Sequence, residues 1–111
     1  MGDFIQVVTT IDSRDNGCIL AGKLLDLRLV ACVQILACDS MYHWQDKIDN
    51  SREYLCLMKT RADLFPALEK AIADFHPYEV PEILATPVTA GNASYLEWLE
   101  QELQPVDKEK G

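Results

Sequence analysis

Leu29-Val30-Ala31-Cys32-Val33-Gln34-Ile35-Leu36-Ala37-Cys38 is the stretch on which the fold turns. Nine of its ten residues are apolar, so it does not read as a strand with one wet face. It is also only half as long as the roughly 20 residues that a membrane-crossing helix needs. A strand buried on both faces is what remains.

On its N-terminal side, Phe4–Ile11 is short and rich in β-branched residues, a strand signal. Asp12 or Ser13 then caps a helix over 14–28, in which Cys18, Ala21, Leu24 and Leu25 recur at helical spacing and Arg28 lies near the C-terminal dipole end. Gly17 and Gly22 weaken that helix locally. On the C-terminal side, residues 40–45 and 53–59 are two strand pieces of a long hairpin, separated by a polar break at 46–52. Thr60 is positioned to cap a second helix with an apolar stripe of Leu64, Leu68, Ala71, Ile72 and Phe75. Pro77 stops it, because a residue preceding proline is steered away from helical geometry. A last strand over 83–88 and a short helix over 94–103 follow.

The order β-α-β-β-α-β plus a terminal helix predicts an α+β fold of the ferredoxin-like kind, with both main helices on one face of an antiparallel sheet. The other face should then be wet. Yet Cys32, Leu36 and Cys38 alternate with Val33, Ile35 and Ala37, and Tyr54, Cys56 and Met58 alternate with Leu55 and Leu57, so both faces are apolar. A second copy of the chain is the economical cover, which predicts an oligomer.

With 111 residues, 49% of them hydrophobic, the chain has material for one core. We expect a single domain over 1–103 and a charged, mobile tail over 104–111. Eighteen acidic residues against ten basic ones give a net charge of −8, which repels nucleic-acid phosphates and anionic lipids, so neither nucleic acid nor membrane is an expected partner. The N-terminus lacks a signal-peptide pattern, and a cytoplasmic location is expected. Cys18, Cys32, Cys38 and Cys56 have no C-x-x-C pairing and read as small buried hydrophobes.

Two constellations bear on function. In His76-Pro-Tyr-Glu-Val-Pro-Glu-Ile83, the ligand-type residues His76, Glu79 and Glu82 are three apart, and polyproline geometry would align them on one edge. With a rise of about 3.1 Å per residue their Cα atoms are roughly 9 Å apart, whereas donor atoms lie about 2 Å from a bound Zn²⁺. The three alone are therefore strained as one mononuclear site. Imidazole joined by a carboxylate from elsewhere suits Cu²⁺ or Zn²⁺; equally, His76 can serve the helix terminus, and Glu79 and Glu82 can pair with Lys59 or Arg61. In Ser40-Met-Tyr-His-Trp-Gln45, alternation puts Tyr42 and Trp44 on one face and His43 on the other. Tyr42 and Trp44 are candidates either to line a ligand cleft with Lys59 and Tyr78 or to anchor an oligomer interface. No nucleophile, base and orienting group converge and no phosphate-binding glycine loop is present, so an enzyme is not expected.

Several segments together resemble the CutA family of divalent-cation tolerance proteins across residues 4–103: Val8-Thr-Thr10, Leu29-Val-Ala-Cys-Val33, Ser40-Met-Tyr-His-Trp44, Lys59-Thr60, His76–Ile83, Gly91-Asn92 and Tyr95-Leu-Glu-Trp98. The resemblance implies a ferredoxin-like, PII-like homotrimer, a cytosolic setting, a role in tolerance of copper or other divalent cations, and no catalytic reaction or obligatory cofactor. Members for which copper ligation is proposed carry a cysteine and a second histidine where this chain has Thr9 and Phe75. Expected functions are therefore weak divalent-metal binding near His76, Glu79 and Glu82, or a PII-like sensor with a small ligand in intersubunit clefts, or a structural trimeric adaptor.

Overall fold

Residues 3–106 are described by a computed structural model. In chain order they form β1 (Phe4–Ile11), α1 (Arg14–Asp26), β2 (Cys32–Trp44), β3 (Lys47–Arg61), a 3-10 turn (Ala62–Leu64), α2 (Phe65–Phe75), β4 (Leu84–Pro87) and α3 (Ala93–Glu102). The four strands make one antiparallel sheet in the order β2-β3-β1-β4. The α+β class and the element order are those expected.

Ser13 is the cap of α1 and accepts the Asn16 N–H at 3.1 Å, while Asp12 accepts from the Asn16 side chain. The helix ends at Asp26, two residues earlier than its periodicity suggests, because Arg28 takes a left-handed backbone (φ 57°) and turns the chain toward β2. Gly17 has a packing reason: a Cβ there would sit 3.3 Å from Ile11 Cγ2 and 3.6 Å from Cys56 Sγ, so its absence lets α1 lie close on the sheet.

Leu20 and Leu24 of α1 and Leu68 and Ile72 of α2 join Val7, Ile11, Cys56 and Met58 in a core where every one of these side chains is buried. Full burial of a residue of this size contributes about 1.5–3 kcal/mol, which makes this helix-covered face the main source of stability. Burial pushes the Cys56 thiol up to about 11, so it stays protonated at neutral pH as an inert hydrophobe. The four cysteines are free, but only Cys56 is buried; Cys32 and Cys38 are half-buried and Cys18 is exposed, contrary to a uniformly buried set.

Three expectations are corrected. The polar break at 46–52 is not a loop: Gln45 and Asp46, both with positive φ (49° and 64°), form a two-residue turn, and pairing runs without interruption from Trp44↔Lys47 to Cys32↔Lys59. Thr60 does not cap α2; it lies within β3, paired with Ile5, and its buried hydroxyl donates to the Leu29 carbonyl at 2.6 Å. Pro66 in the first turn of α2 starts that helix instead.

The third correction concerns Leu29–Cys38. Leu29–Ala31 are buried ahead of the strand, but β2 itself is an edge strand, and only Val33 and Ile35 pack against the core. Pairing puts Leu36 opposite Leu55 and Gln34 opposite Leu57, on the face away from Cys56 and Met58. On that second face Leu36 is 49% and Leu84 59% exposed within a single chain. The apolar run is thus buried at its start and along one side only.

α3 closes the end of the sheet where β2 begins and β3 ends. Leu99 and Leu103 are buried in the core, and the guanidinium of the fully buried Arg61 donates to both Asp63 oxygens, to Glu100 (3.0 Å) and to the Gln104 carbonyl (2.8 Å). Gln104, where a free tail was expected to start, is held further by Arg28 and Leu27 carbonyls; residues 107–111 lie outside the described residues. No helix among the described residues is long and apolar enough to cross a membrane.

Candidate functional site

The β2–β3 ladder continues for 13 paired positions, whereas β1 reaches β3 only from Tyr54 onward. Beyond Tyr54 the two strands project as a ribbon. Its second face, the segment between α2 and β4, and Asp12 enclose a cleft of about 890 Å³. From the ribbon come Tyr42, Trp44, Asp49 and Glu53, and from the segment after α2 come Tyr78, Glu79 and Glu82. Tyr42 and Trp44 do share a face, as alternation requires, and His43 is not on it. They are 40% and 60% exposed.

His76 ends α2 with extended geometry (φ −79°, ψ 138°), as the following proline demands. Its ring is buried, and both nitrogens are engaged. The Tyr78 N–H donates to Nδ1 at 3.1 Å, which leaves the proton on Nε2 to donate to the Thr10 carbonyl at 2.8 Å. Neutral His76 therefore ties the corner at residues 76–78 to the end of β1, and it has no free lone pair for a metal. Tyr78, so placed, stacks obliquely on the imidazole with centroids 4.8 Å apart and donates its hydroxyl to Glu53 Oε2 at 2.7 Å. Burial and the Glu53 carboxylate push the Tyr78 hydroxyl well above the usual tyrosine range, so it remains a donor.

The sequence-predicted residues separate into two groups. Tyr42, Trp44, Tyr78, Glu79 and Glu82 meet around the cleft. His76 stands behind it as a support, and Lys59 lies elsewhere on β3, donating to Gln34. Neither Lys59 nor Arg61 pairs with Glu79 or Glu82; Arg61 is committed to Asp63 and Glu100. Among the described residues no group of three His, Cys, Asp or Glu side chains is arranged to hold a metal ion. Carboxylates at Asp12, Asp49, Glu53, Glu79 and Glu82 face one guanidinium, Arg52, which is itself paired with Asp39 at 3.1 Å. The cleft is therefore negative.

Glu53 was not singled out by sequence. Its signal lies in register: with the turn at Gln45-Asp46, Cys38 must face Glu53 and Tyr42 must face Asp49, which puts both acids on the Tyr42–Trp44 face.

Residues 5–102 match the family described as CutA1 divalent ion tolerance protein. The chain belongs to that family. A Divalent-cation tolerance protein CutA from Thermus thermophilus is 40% identical over 96 residues, covering 86% of this chain and 93% of that protein. Protein CutA 1, chloroplastic, of Oryza sativa is also 40% identical over 96 residues, but the chain spans only 54% of its length. Among solved structures, CutA1 from Oryza sativa superposes with a TM-score of 0.92 at 36% identity, covering 95% of this chain and 97% of that one. CutA1 from Pyrococcus horikoshii gives 0.88 at 34% identity, covering 91% and 99%. A structure from Archaeoglobus fulgidus, 28% identical with a TM-score of 0.89 over 91% of this chain and 99% of that one, is described as a periplasmic divalent cation tolerance protein, so relatives occupy more than one compartment.

Proposed function

We propose that this CutA1-family chain is a non-enzymatic, ferredoxin-like homotrimer that takes divalent cations weakly and so contributes to tolerance of copper or another heavy metal. The observation that carries the cation reading is the charge of the cleft: five carboxylates against one guanidinium already paired with Asp39. Such a cleft raises the local concentration of cations and repels anions. Glu79 and Glu82 are the proposed first contacts, being exposed on its wall. His76 can join them only by giving up one of its two hydrogen bonds, so the site is one of loose carboxylate contacts rather than a tight soft-ligand centre. Trimer formation is supported by the exposed apolar second face, where Leu36 and Leu84 have no cover within one chain. Four free cysteines fit a reducing, cytoplasmic setting.

Isothermal titration with Cu²⁺ and Zn²⁺ tests this. Affinity should fall in Glu79→Gln/Glu82→Gln; unchanged binding there sinks the reading, and unchanged binding in His76→Ala removes His76 as a ligand.

A second reading, a PII-like sensor of a small organic ligand, is favoured by the size of the cleft and its aromatic wall of Tyr42, Trp44 and Tyr78. Native mass spectrometry of protein purified without added ligand should then show several hundred extra daltons per subunit. A structural trimeric adaptor is what remains if both tests are blank.

A further inference from the structure

Residues 77–83 carry the chain from the end of α2 to the start of β4 without regular secondary structure. Among the described residues, 79–82 make no backbone hydrogen bond, and they lie outside the β1–β4 register, which begins at Leu84. Pro77 and Pro81 lack an N–H and hold φ at about −65°, so the stretch is stiff within itself and weakly tied to its surroundings. Side chains do the tying. His76 holds one end through the Thr10 carbonyl and the Tyr78 N–H, and Ile83 packs against the core at the other. Between them the Tyr78 hydroxyl reaches across to Glu53 on β3 at 2.7 Å. Val80, two residues further on, is 87% exposed.

That crossing bond is finely balanced. Glu53 is buried, the donor it closes on is neutral, and no cation among the described residues forms an ion pair with it. Burial disfavours a carboxylate, whereas a hydrogen bond to it is stronger than one between neutral groups. Closure gains the bond and gives up carboxylate hydration; opening reverses both. The two arrangements therefore lie closer in free energy than burial of an apolar side chain would leave them. Because the prolines stiffen the stretch, opening displaces it as a unit, with Glu79 and Glu82 on it.

We propose that the Tyr78–Glu53 bond is a latch. It closes residues 77–82 onto β3, and its release lets that stretch swing away, drawing the Tyr78 N–H off His76 Nδ1 while α2 and the sheet stay in place. This goes beyond the cation reading and holds whether or not Glu79 and Glu82 take an ion.

Amide hydrogen exchange of the intact chain, followed by NMR, tests it. In Tyr78→Phe, which keeps the ring on the imidazole and removes only the hydroxyl, the amide at position 78 should exchange about tenfold faster than in wild type. The amides of Val7 and Met58, paired in the middle of the sheet, should keep their wild-type rates. Glu53→Ala, which removes the acceptor, should accelerate position 78 in the same way; if it also loosens the sheet amides, Tyr78→Phe decides. A wild-type rate at position 78 in Tyr78→Phe overturns the proposal, because the stretch is then held by something else, such as other copies of the chain. Equal acceleration at positions 7, 58 and 78 overturns it too, since the bond then supports the whole fold and releases nothing locally. Acceleration in Tyr78→Phe with a wild-type rate in Glu53→Ala removes Glu53 as the catch and has the same result.

Discussion

The two ends of the β2–β3 ladder are made of the same paired backbone and have opposite fates. At the Cys32–Lys59 end the chain covers itself: α1 and α2 lie on one face, α3 closes the end, and a buried guanidinium is surrounded by acceptors. At the Trp44–Lys47 end the ribbon outruns β1, and Tyr42, Trp44 and Ile48 remain exposed. Apolar side chains that can be reached by the chain's own helices become core; those beyond that reach become surface for something else. The same contrast separates the charges, since Arg61 is saturated by partners and Glu53 has none that is cationic among the described residues.

Breaking the closed end should cost most. Leu68→Ala removes a fully buried side chain from the core and should lower the unfolding free energy by about 2–5 kcal/mol in denaturant titration. Leu36→Asp, on the uncovered face, should instead abolish assembly while changing the intrinsic stability of the single chain by no more than about 0.5 kcal/mol. If Leu36→Asp unfolds the chain, the two regions do not differ as described.

A smaller effect follows from acid. Hydrogen bonding to Arg61 holds the Asp63 carboxyl below its usual 3.8, so the stability it contributes is present above that value and is lost as pH falls through the lower folded-state value. The advantage of wild type over Asp63→Asn should thus be constant above about pH 5 and shrink below about pH 4. Thermal unfolding followed across that range checks it; a constant gap down to about pH 2 contradicts the assigned role.

Much of this architecture is legible in the sequence because period and punctuation act locally. The β-branched run at Phe4–Ile11, the stripe through Leu68 and Ile72, and Pro77 as a helix stop each need only neighbours to be understood. The ribbon was not, because Asp46–Arg52 has loop composition and its turn uses Gln45-Asp46 without glycine. Pairing decides there, not propensity. The site follows the same division: Tyr42 and Trp44 share a face by alternation, but the bond from His76 to Thr10 spans 66 positions and Glu53 depends on the register set by the turn. His76 looked like a ligand because its chemistry is visible in sequence and its two partners are not.

In the proposed trimer, the face left open by one chain is covered by other copies of it. Sedimentation equilibrium at micromolar concentration tests that most directly. Wild type should sediment at three times the 12.5 kDa chain mass and Leu36→Asp at that mass alone; wild type sedimenting only as the 12.5 kDa monomer would rule the trimer out.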